Sequence, residues 1–556
     1  MAKPNIRLEH AAKLRIAGVL MALVTAIAAT YFVPALTPLQ PWRTEEDYVP
    51  FWNVVAREFL GGEQRLRADQ QELERLAGLA SLPGNAGPSA TARVAPRRDA
   101  GTASGHESTR PKPEYPAFVP MADDVQPKVL IDNAERMKHF FEKLTLVELQ
   151  TEGAVARAAH WGDSVIGDDG ITHAIRQRMQ GRFGDAGHGF HALARYNLAY
   201  VHQGVHFSGR GQWRKCEIIF KCEPDARYGF GGVSTSSSGG GTGSWWTKET
   251  GLGSAIGRFE LWYAGMPAGG KFQIKVDGKV DRIVDTERDA LTDEWEVIDL
   301  PDGAHKVEVR AIGDGVARGY GAVLERRVPG VVWDSLALIG SFTQRLDYQE
   351  QEHISRQVAR RDTDLLVFML GGNDVQREKM DLYRTTEPYE QEYQRVVRKY
   401  RAGKPRASCL LLSLVDHAEK DSQNVIRSRR IVPRLVEGQR KVARRMGCAF
   451  YNTYAAMGGT GSAGRWFRAK PRLMGADLGH LTSHGHRVIA RLFYQALMTA
   501  YQEFREARTG DPLPELNSLK NGAEDTVRQV LQTAEDAGAA ASRGPTKDAT
   551  ADPLNE

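Results

Sequence analysis

The sequence of 556 residues lacks the features that mark several large functional classes. Its four cysteines (Cys216, Cys222, Cys409 and Cys448) show no metal-ligand spacing. The formal net charge of +5 is small for this length, and no basic stripe interleaved with aromatics occurs. Residues 229–243 are rich in Gly and Ser but lack the Lys-Ser/Thr ending of a phosphate loop, and are predicted to form a surface loop. Nothing in the composition therefore indicates a metal site, a nucleic-acid partner or a nucleotide.

The cysteines also fail to suggest a disulfide framework. Cys216 and Cys222 fall in what reads as one strand, which would separate them by about 20 Å, beyond disulfide reach unless the strand bends. Cys409 and Cys448 each fall in a predicted buried strand. Two buried thiols are the leading interpretation for this second pair, and a disulfide between neighbouring strands is the alternative.

One long uncharged stretch stands near the N-terminus. Four basic side chains in residues 1–15 precede a mostly apolar run over 16–37, which is long enough to cross a bilayer. Positive charge before such a run predicts that the remainder lies across the membrane from the cytoplasm. We predict a single-pass inner-membrane anchor with a periplasmic or other extracytoplasmic body. A signal peptide cleaved near 26–28 is the alternative.

The rest of the chain divides by composition and by hydrophobic period. Helix–strand alternation is typical of an α/β domain, whereas period-two segments with hairpin signals, such as the one before Asp277-Gly278, are typical of an antiparallel β-sandwich. Segments rich in Pro, Gly, Ala, Ser and Thr cannot bury enough surface to offset their ordering entropy. The predicted segments after the anchor are a helical segment (48–80), a disordered linker (81–116), a first α/β part (117–195), an inserted β-sandwich (196–328), a second α/β part (329–508) and a disordered tail (509–556).

A serine stands where the first predicted strand of the α/β part meets a helix. The apolar run 154–156 leads to Gly162-Asp163-Ser164, and a helical pattern follows over 171–183. A serine at such a turn exposes its hydroxyl at the carboxyl edge of the sheet, with its own N–H near a helix N-terminus. The tripeptide Gly-Asp-Ser is common in proteins, so it indicates a nucleophile only in combination with residues further along the chain.

Three further features follow predicted strands or introduce a helix. Gly340 follows an apolar run, Asn373 follows the buried strand pattern 365–370, and Asp477 with His480 precedes the last long helix. An aspartate three residues before a histidine can fix the tautomer of the imidazole, so that the other ring nitrogen faces a serine. Acyl transfer needs a nucleophile, a base, an orienting carboxylate and donors for the oxyanion. These residue types are all present, in an order that an α/β sheet can bring together.

The four blocks resemble those of the SGNH (GDSL-type) esterases: Gly162-Asp163-Ser164, Gly340, Gly371-Gly372-Asn373-Asp374, and Asp477 with His480. The chain is most similar to the periplasmic peptidoglycan O-acetylesterase branch, in which a sandwich of carbohydrate-binding-module type separates the first two blocks. The resemblance implies a three-layer, flavodoxin-like domain with a parallel sheet and no metal or organic cofactor. It makes Ser164 the nucleophile, His480 the base and Asp477 its partner, with Ser164, Gly340 and Asn373 in the oxyanion hole. Val165 replaces a commoner Leu, and the alignment of Gly340 rests mainly on residues 333–336 upstream.

The expected function is that of a serine esterase. It would remove O-acetyl groups from a cell-envelope or extracellular polysaccharide, peptidoglycan included, through an acyl-serine intermediate. The alternatives are an O-acetyltransferase that passes the acetyl group to a glycan hydroxyl, and an inactive glycan-binding scaffold. Trp245 and Trp246 in the β module either belong to its core or stack on sugar rings.

Overall fold

The computed structural model describes residues 113–120, 127–378 and 385–520, which belong to one compact unit. The predicted anchor (16–37), the helical segment (48–80) and the linker as far as residue 112 lie outside this part of the chain. No helix in the described ranges is long and apolar enough to cross a bilayer.

Strands and helices alternate at both ends of this unit, and its middle consists of strands and one short 3₁₀ helix, Ile218–Phe220. The strands are β1 (Ile131–Asp132), β2 (Val155–Gly162), β3 (Gly187–His191), β4 (His206–Arg210), β5 (Arg214–Glu217), β6 (Val233–Ser237), β7 (Thr242–Trp246), β8 (Ile256–Gly265), β9 (Lys271–Val276), β10 (Lys279–Asp285), β11 (Thr292–Gly303), β12 (Lys306–Ala311), β13 (Ala317–Glu325), β14 (Gly330–Ala337), β15 (Leu365–Met369), β16 (Ser408–Leu412), β17 (Ala418–Lys420), β18 (Ile426–Ser428) and β19 (Ala449–Tyr451). The α-helices are α1 (Lys138–Glu148), α2 (Gly170–Phe183), α3 (Gln351–Arg361), α4 (Glu387–Arg401), α5 (Ile431–Arg445), α6 (Thr453–Met457), α7 (Ser462–Arg468), α8 (Ser483–Glu506) and α9 (Leu516–Leu519).

The α/β part is built on one six-stranded sheet of order β1-β19-β16-β15-β2-β14. All neighbours are parallel except β1, which pairs antiparallel with β19 at one edge. Every residue of β15 is buried, as expected for a strand covered on both faces. Its odd and even residues enter different cores: Val367 packs with α1, α2 and α8, whereas Phe368 packs with α3, α4 and α5. The predicted three-layer α/β architecture is therefore present.

The parallel strands end at a common level on the site side of the sheet. Gly162, the last residue of β2, lies opposite Ala337 of β14 and Met369 of β15. Leu412 of β16 lies opposite Tyr451 of β19 in the same way. Since the loops that follow these strands leave one edge, side chains far apart in sequence are brought together there.

The inserted module is an antiparallel sandwich. One sheet has the order β10-β9-β12-β7-β4 and the other β11-β8-β13-β6-β5, with β3 also paired to β13. Apolar side chains of both sheets form a single core between them. The predicted hairpin joins β9 to β10, and its two turn residues have positive φ (Asp277 50°, Gly278 80°), as a tight hairpin turn requires.

The module begins earlier than residue 196. Strand β3 lies in the predicted first α/β part but pairs with β13 of the module. Its sequence, Gly-His-Gly-Phe-His, alternates glycine with larger residues. It lacks the alternation of polar and apolar residues that predicts a strand, so the sequence did not indicate β3. The module and the α/β part also share a core, in which the ring of Trp161 lies 5.1 Å from that of Phe230.

The ordered body also extends past both predicted limits. Tyr115, assigned to the linker, is only 2% exposed, and its N–H donates to the carbonyl of Asp511 in the predicted tail. Gly510 donates back to the carbonyl of Tyr115. Segments 113–120 and 509–520 therefore close against each other, a pairing that composition does not reveal.

Both cysteine pairs form disulfides, so the prediction of free thiols is wrong. Cys216 and Cys222 have Cα atoms 5.8 Å apart because β5 ends at Glu217, and a turn through Lys221 (φ 51°) reverses the chain. Cys409 and Cys448 have Cα atoms 4.7 Å apart. The pairing of β16 with β19 sets these two residues side by side, so the alternative of a disulfide between neighbouring strands is correct.

Candidate active site

Ser164 sits where β2 gives way to a short 3₁₀ turn, Ser164–Ile166. The carboxylate of the preceding Asp163 accepts the N–H of Val165 through one oxygen and the N–H of Gly372 through the other, each at 3.0 Å. Burial raises the pKa of Asp163 to about 6, against the effect of these two backbone donors. Asp163 thus ties the serine turn to the loop after β15.

His480 connects Ser164 to Asp477 through two short contacts. The Ser164 Oγ lies 2.7 Å from His480 Nε2, and His480 Nδ1 lies 2.5 Å from Asp477 Oδ2. Because a carboxylate accepts, Nδ1 carries the proton, and Nε2 is left with a lone pair for the serine hydroxyl. The three side chains therefore form a hydrogen-bonded chain of the kind that can activate a serine nucleophile.

The loop that carries Asp477 and His480 is held by its own backbone. The second oxygen of Asp477 accepts the N–H groups of Gly479 (3.2 Å) and His480 (3.1 Å), and Gly475 donates to the carbonyl of His480 (2.7 Å). Thr482 then caps α8 by accepting the N–H of Gly485. The carboxylate is consequently fixed relative to the imidazole before any substrate binds.

The hydrogen bond between His480 and Asp477 stabilises the charged form of each side chain. The hydrogen bond from His480 lowers the pKa of Asp477 to about 2, against its partial burial. The same hydrogen bond raises the pKa of His480, burial opposes this, and the carboxylates of Asp477, Asp163 and Asp168 add to the rise. Both side chains of the pair are 56% exposed. The imidazole is thus prepared to take up a proton at a position that water can reach.

Asn373 and Gly340 differ in how closely they approach the serine. Asn373 lines the pocket at Ser164 and donates one amide hydrogen to the carbonyl of Ser341 (3.0 Å), which leaves its second amide hydrogen for an oxyanion. Gly340 is exposed, has φ +79° and stands beside Ser341, but it does not line that pocket. The structure therefore brings Ser164, His480, Asp477 and Asn373 together, and places Gly340 next to the residue that Asn373 holds.

The pocket at Ser164 has a volume of about 160 Å³ and includes side chains that the sequence did not single out. They are Gln376, His417, Ala418 and Arg429. His417 follows the apolar strand β16, just as Asn373 follows β15. A search for every polar residue after a buried strand would have found it.

The two tryptophans proposed for sugar contact face opposite sides of β7. Trp245 is fully buried and its ring lies 5.7 Å from that of Phe207 in the sandwich core, so a sugar contact for Trp245 is wrong. Successive residues of a strand point to opposite faces. Trp246 is partly exposed, lies parallel to the ring of His206 and borders a shallow depression of about 300 Å³. The predicted loop 229–243 is also wrong, since it contains β6 and the start of β7.

Comparison with known proteins supports the assignment of the fold. Residues 303–488 match the model of the GDSL-like lipase/acylhydrolase family. A solved peptidoglycan O-acetylesterase shares 20% identity over 67% of this chain and 99% of that chain, with a TM-score of 0.56. A catalytic mutant of Axe2, an acetylxylan esterase from Geobacillus stearothermophilus, shares 21% identity over 30% of this chain and 73% of that chain (TM-score 0.23). The salicylyl-acyltransferase SsfX3 of a tetracycline biosynthetic pathway shares 14% identity over 52% and 93% (TM-score 0.23). Curated protein sequences gave no match.

The fold and the connected side chains at Ser164 define a serine esterase. The matched range contains Asn373, Asp477 and His480, while Ser164 lies upstream because the β module separates it from them. Residues 303–488 are thus similar to the GDSL-like lipase/acylhydrolase family, and the fold of the chain is similar to that of the peptidoglycan O-acetylesterase.

Proposed function

We propose that the protein removes O-acetyl groups from a polysaccharide of the cell envelope or the extracellular space. The observation that carries this proposal is the hydrogen-bonded chain from Ser164 through His480 to Asp477 beside a pocket of only about 160 Å³. A pocket of that size suits a small acyl group better than a long one. The similar fold of a peptidoglycan O-acetylesterase supports a glycan as the alcohol part of the ester.

The reaction proceeds in two steps. Ser164 Oγ attacks the acetyl carbonyl carbon while its proton passes to His480 Nε2, and Asp477 stabilises the imidazolium. The oxyanion accepts hydrogen bonds from the Ser164 N–H and the Asn373 amide, and Gly340 is the proposed third donor. The sugar oxygen then leaves with the proton of His480. Water gives a proton to His480 and attacks the acetyl-serine, and acetate departs as Ser164 regains its proton.

The exposure of the catalytic pair favours hydrolysis over transfer. An O-acetyltransferase must keep water away from its acyl-serine so that the acceptor hydroxyl reacts first. Here the His480 and Asp477 side chains are each 56% exposed, so water reaches the base directly. The short Ser164–His480 contact likewise argues against an inactive scaffold.

Acetate release from O-acetylated glycans tests the proposal. The wild-type protein should release acetate, and Ser164→Ala should lose activity by a factor on the order of 10⁶, as for other serine triads. An unchanged melting temperature in the variant would show that the fold is intact. Full activity of Ser164→Ala would refute the proposed nucleophile, and net transfer of acetyl to a glycan acceptor, exceeding hydrolysis, would make the protein an acetyltransferase.

We further propose an extracytoplasmic location, with residues 16–37 as a single-pass anchor. Two disulfides support an oxidising compartment, where such bonds persist. Protease treatment of intact spheroplasts should remove the body and leave a membrane-bound N-terminal fragment. Complete protection of the body would contradict this location.

A further inference from the structure

Two side chains of the Ser164 pocket have no part in the two steps above. They are His417, which follows β16, and Arg429, which lies between β18 and α5. The backbone N–H of Arg429 donates to the carbonyl of His417 at 2.8 Å. The two residues are thus held together as one wall of the pocket.

The protonation state of His417 follows from its contacts. Its Nδ1 lies 2.9 Å from the carbonyl of Val415, and because a carbonyl only accepts, Nδ1 carries a proton. Burial lowers the pKa of His417, so the ring stays neutral at physiological pH. Its Nε2 therefore presents a lone pair, which accepts a hydrogen bond and cannot donate one.

Two glycines make room for this imidazole. A methyl group on Gly479 would lie 3.2 Å from His417 Cδ2, and one on Gly372 would lie 3.4 Å from His417 Nε2. Gly479 belongs to the Asp477–His480 loop and Gly372 precedes Asn373. The acceptor nitrogen is consequently close both to the loop that carries the base and to the residue that precedes the oxyanion donor.

Arg429 brings positive charge to the same wall. Its side chain is only 12% exposed. Its guanidinium contacts the amide oxygen of Gln376 and a carboxylate oxygen of the more exposed Glu419, each at 3.4 Å. Both contacts are long for a guanidinium, which has five N–H donors. The planar guanidinium can also bind both oxygens of one carboxylate.

We propose that His417 and Arg429 form a subsite for an acidic sugar. In this subsite, which rests on the proposed esterase function, His417 Nε2 accepts a hydrogen bond from a hydroxyl or amide N–H beside the acetylated oxygen. Arg429 binds a carboxylate of the same glycan. The preferred substrate is then an O-acetylated polysaccharide that carries carboxylate groups, and the two residues determine specificity without taking part in bond making.

Substrate pairs that differ in one group test the subsite. The probes are an aryl acetate, an O-acetylated uronate oligosaccharide, and the same oligosaccharide with its carboxylates reduced to alcohols. For the wild-type protein, kcat/KM should be about 10- to 100-fold higher on the acidic oligosaccharide than on its reduced form, since hydrogen bonds to charged groups are worth about 1.5–3 kcal/mol. Arg429→Met should remove this preference. The control Arg427→Met, whose side chain is 65% exposed and pairs with Asp421, should retain it.

His417 is tested through a ratio of rates. His417→Leu should lower the ratio of kcat/KM on the oligosaccharides to kcat/KM on the aryl acetate by about 10-fold or more, because a substrate donor loses its acceptor. His417→Gln, which restores an acceptor oxygen, should recover part of that ratio. An equal loss on all three substrates would assign His417 a structural role and overturn the proposal for it.

The outcomes separate the subsite from the esterase function. If the wild-type protein does not distinguish the acidic from the reduced oligosaccharide, or if Arg429→Met leaves the preference intact, the acidic-sugar subsite is refuted. The esterase proposal survives that result as long as aryl acetate hydrolysis depends on Ser164. Aryl acetate hydrolysis that persists in Ser164→Ala would refute the esterase function instead.

Discussion

His480 and a buried group of histidines show the same side chain in opposite electrostatic settings. The histidine seam, which we define as His173, His188, His191 and His202, lies where α2 and β3 meet the β module. His480 is half exposed and its pKa is raised, chiefly by the hydrogen bond to Asp477. Burial instead lowers the pKa of His173 and His188 to about 4, and lowers that of the other two well below the usual value.

The difference lies first in burial, which is the largest cause of the lowered pKa values in the seam, and then in the hydrogen-bonding partners. The rings of His191 and His202 lie 3.8 Å apart, and neither ring nitrogen of His191 has a hydrogen-bond partner among the described residues. The nearby buried carboxylate of Asp169 is already paired with Arg176 at 3.0 Å. The carboxylate of Asp169 favours the charged form of His173 and His191, but burial outweighs it, whereas at His480 the hydrogen bond to Asp477 outweighs burial. The histidines of the seam are therefore held in their uncharged form, whereas His480 is held in a setting that favours proton uptake.

Removal of the exposed histidine should have the largest effect on activity. We expect His480→Ala to lower kcat by a factor on the order of 10⁴ to 10⁶, because the serine loses its base. The melting temperature should hardly change, since the side chain is half exposed. Steady-state kinetics on an aryl acetate measure the loss. His484→Ala, four residues on in the first turn of α8, is the matched control and should remain active.

Removal of the Asp477 carboxylate should lower both the activity and the pKa of His480. We expect Asp477→Asn to lower kcat/KM by a factor on the order of 10³ to 10⁴. Because the carboxylate raises the pKa of His480, its removal lowers that pKa. The acidic limb of the pH profile should therefore move to lower pH. An unchanged or upward-shifted limb would mean that Asp477 does not control the base.

Acid should destabilise the seam. Histidines of the unfolded state bind protons near pH 6.5, whereas His173 and His188 bind them only near pH 4 in the folded protein, so the free energy of unfolding falls as the pH drops through this window. A histidine with its pKa lowered to about 4 contributes a loss of about 3 kcal/mol by the lower end. Urea unfolding at pH 7 and pH 4.5 measures the loss, and His188→Gln should reduce it relative to wild type. Equal pH dependence in both proteins would contradict a neutral seam.

The smallest expected effect concerns Asp168, which contributes to the raised pKa of His480 from outside the catalytic pair. Its own carboxylate accepts the N–H of Gly170 at 2.9 Å and lies 3.3 Å from His486. Asp168→Asn should shift the acidic limb downward by much less than Asp477→Asn does, with kcat at the optimum retained. A shift as large as that of Asp477→Asn would show that the pKa of His480 depends on the surrounding carboxylates and not chiefly on its hydrogen bond to Asp477.

Much of the site was predictable because parallel strands carry their following loops to one edge. Ser164 and Asn373 each follow a strand with a strong apolar pattern, and the spacing of Asp477 and His480 lets both share one loop. These positions depend on local sequence and on general sheet topology.

What escaped prediction depends on contacts that no local pattern records. The acceptor role of His417 is set by the carbonyl of Val415, and the Cys216–Cys222 bond by the reversal at Lys221. Strand β3 is defined by its partner β13. The fate of Trp245 depends on which face of β7 meets the second sheet, and the sequence pattern did not fix that face.

The account depends on Ser164 carrying the acyl group during turnover. Rapid acid quenching of the wild-type protein with an activated acetyl ester, followed by peptide mass spectrometry, tests this directly. We predict one acetyl group on the peptide that contains Ser164, absent from Ser164→Ala and lost on further incubation in water. Acetate release with no acetyl on Ser164, or with acetyl on another residue that turns over at the catalytic rate, would contradict the account.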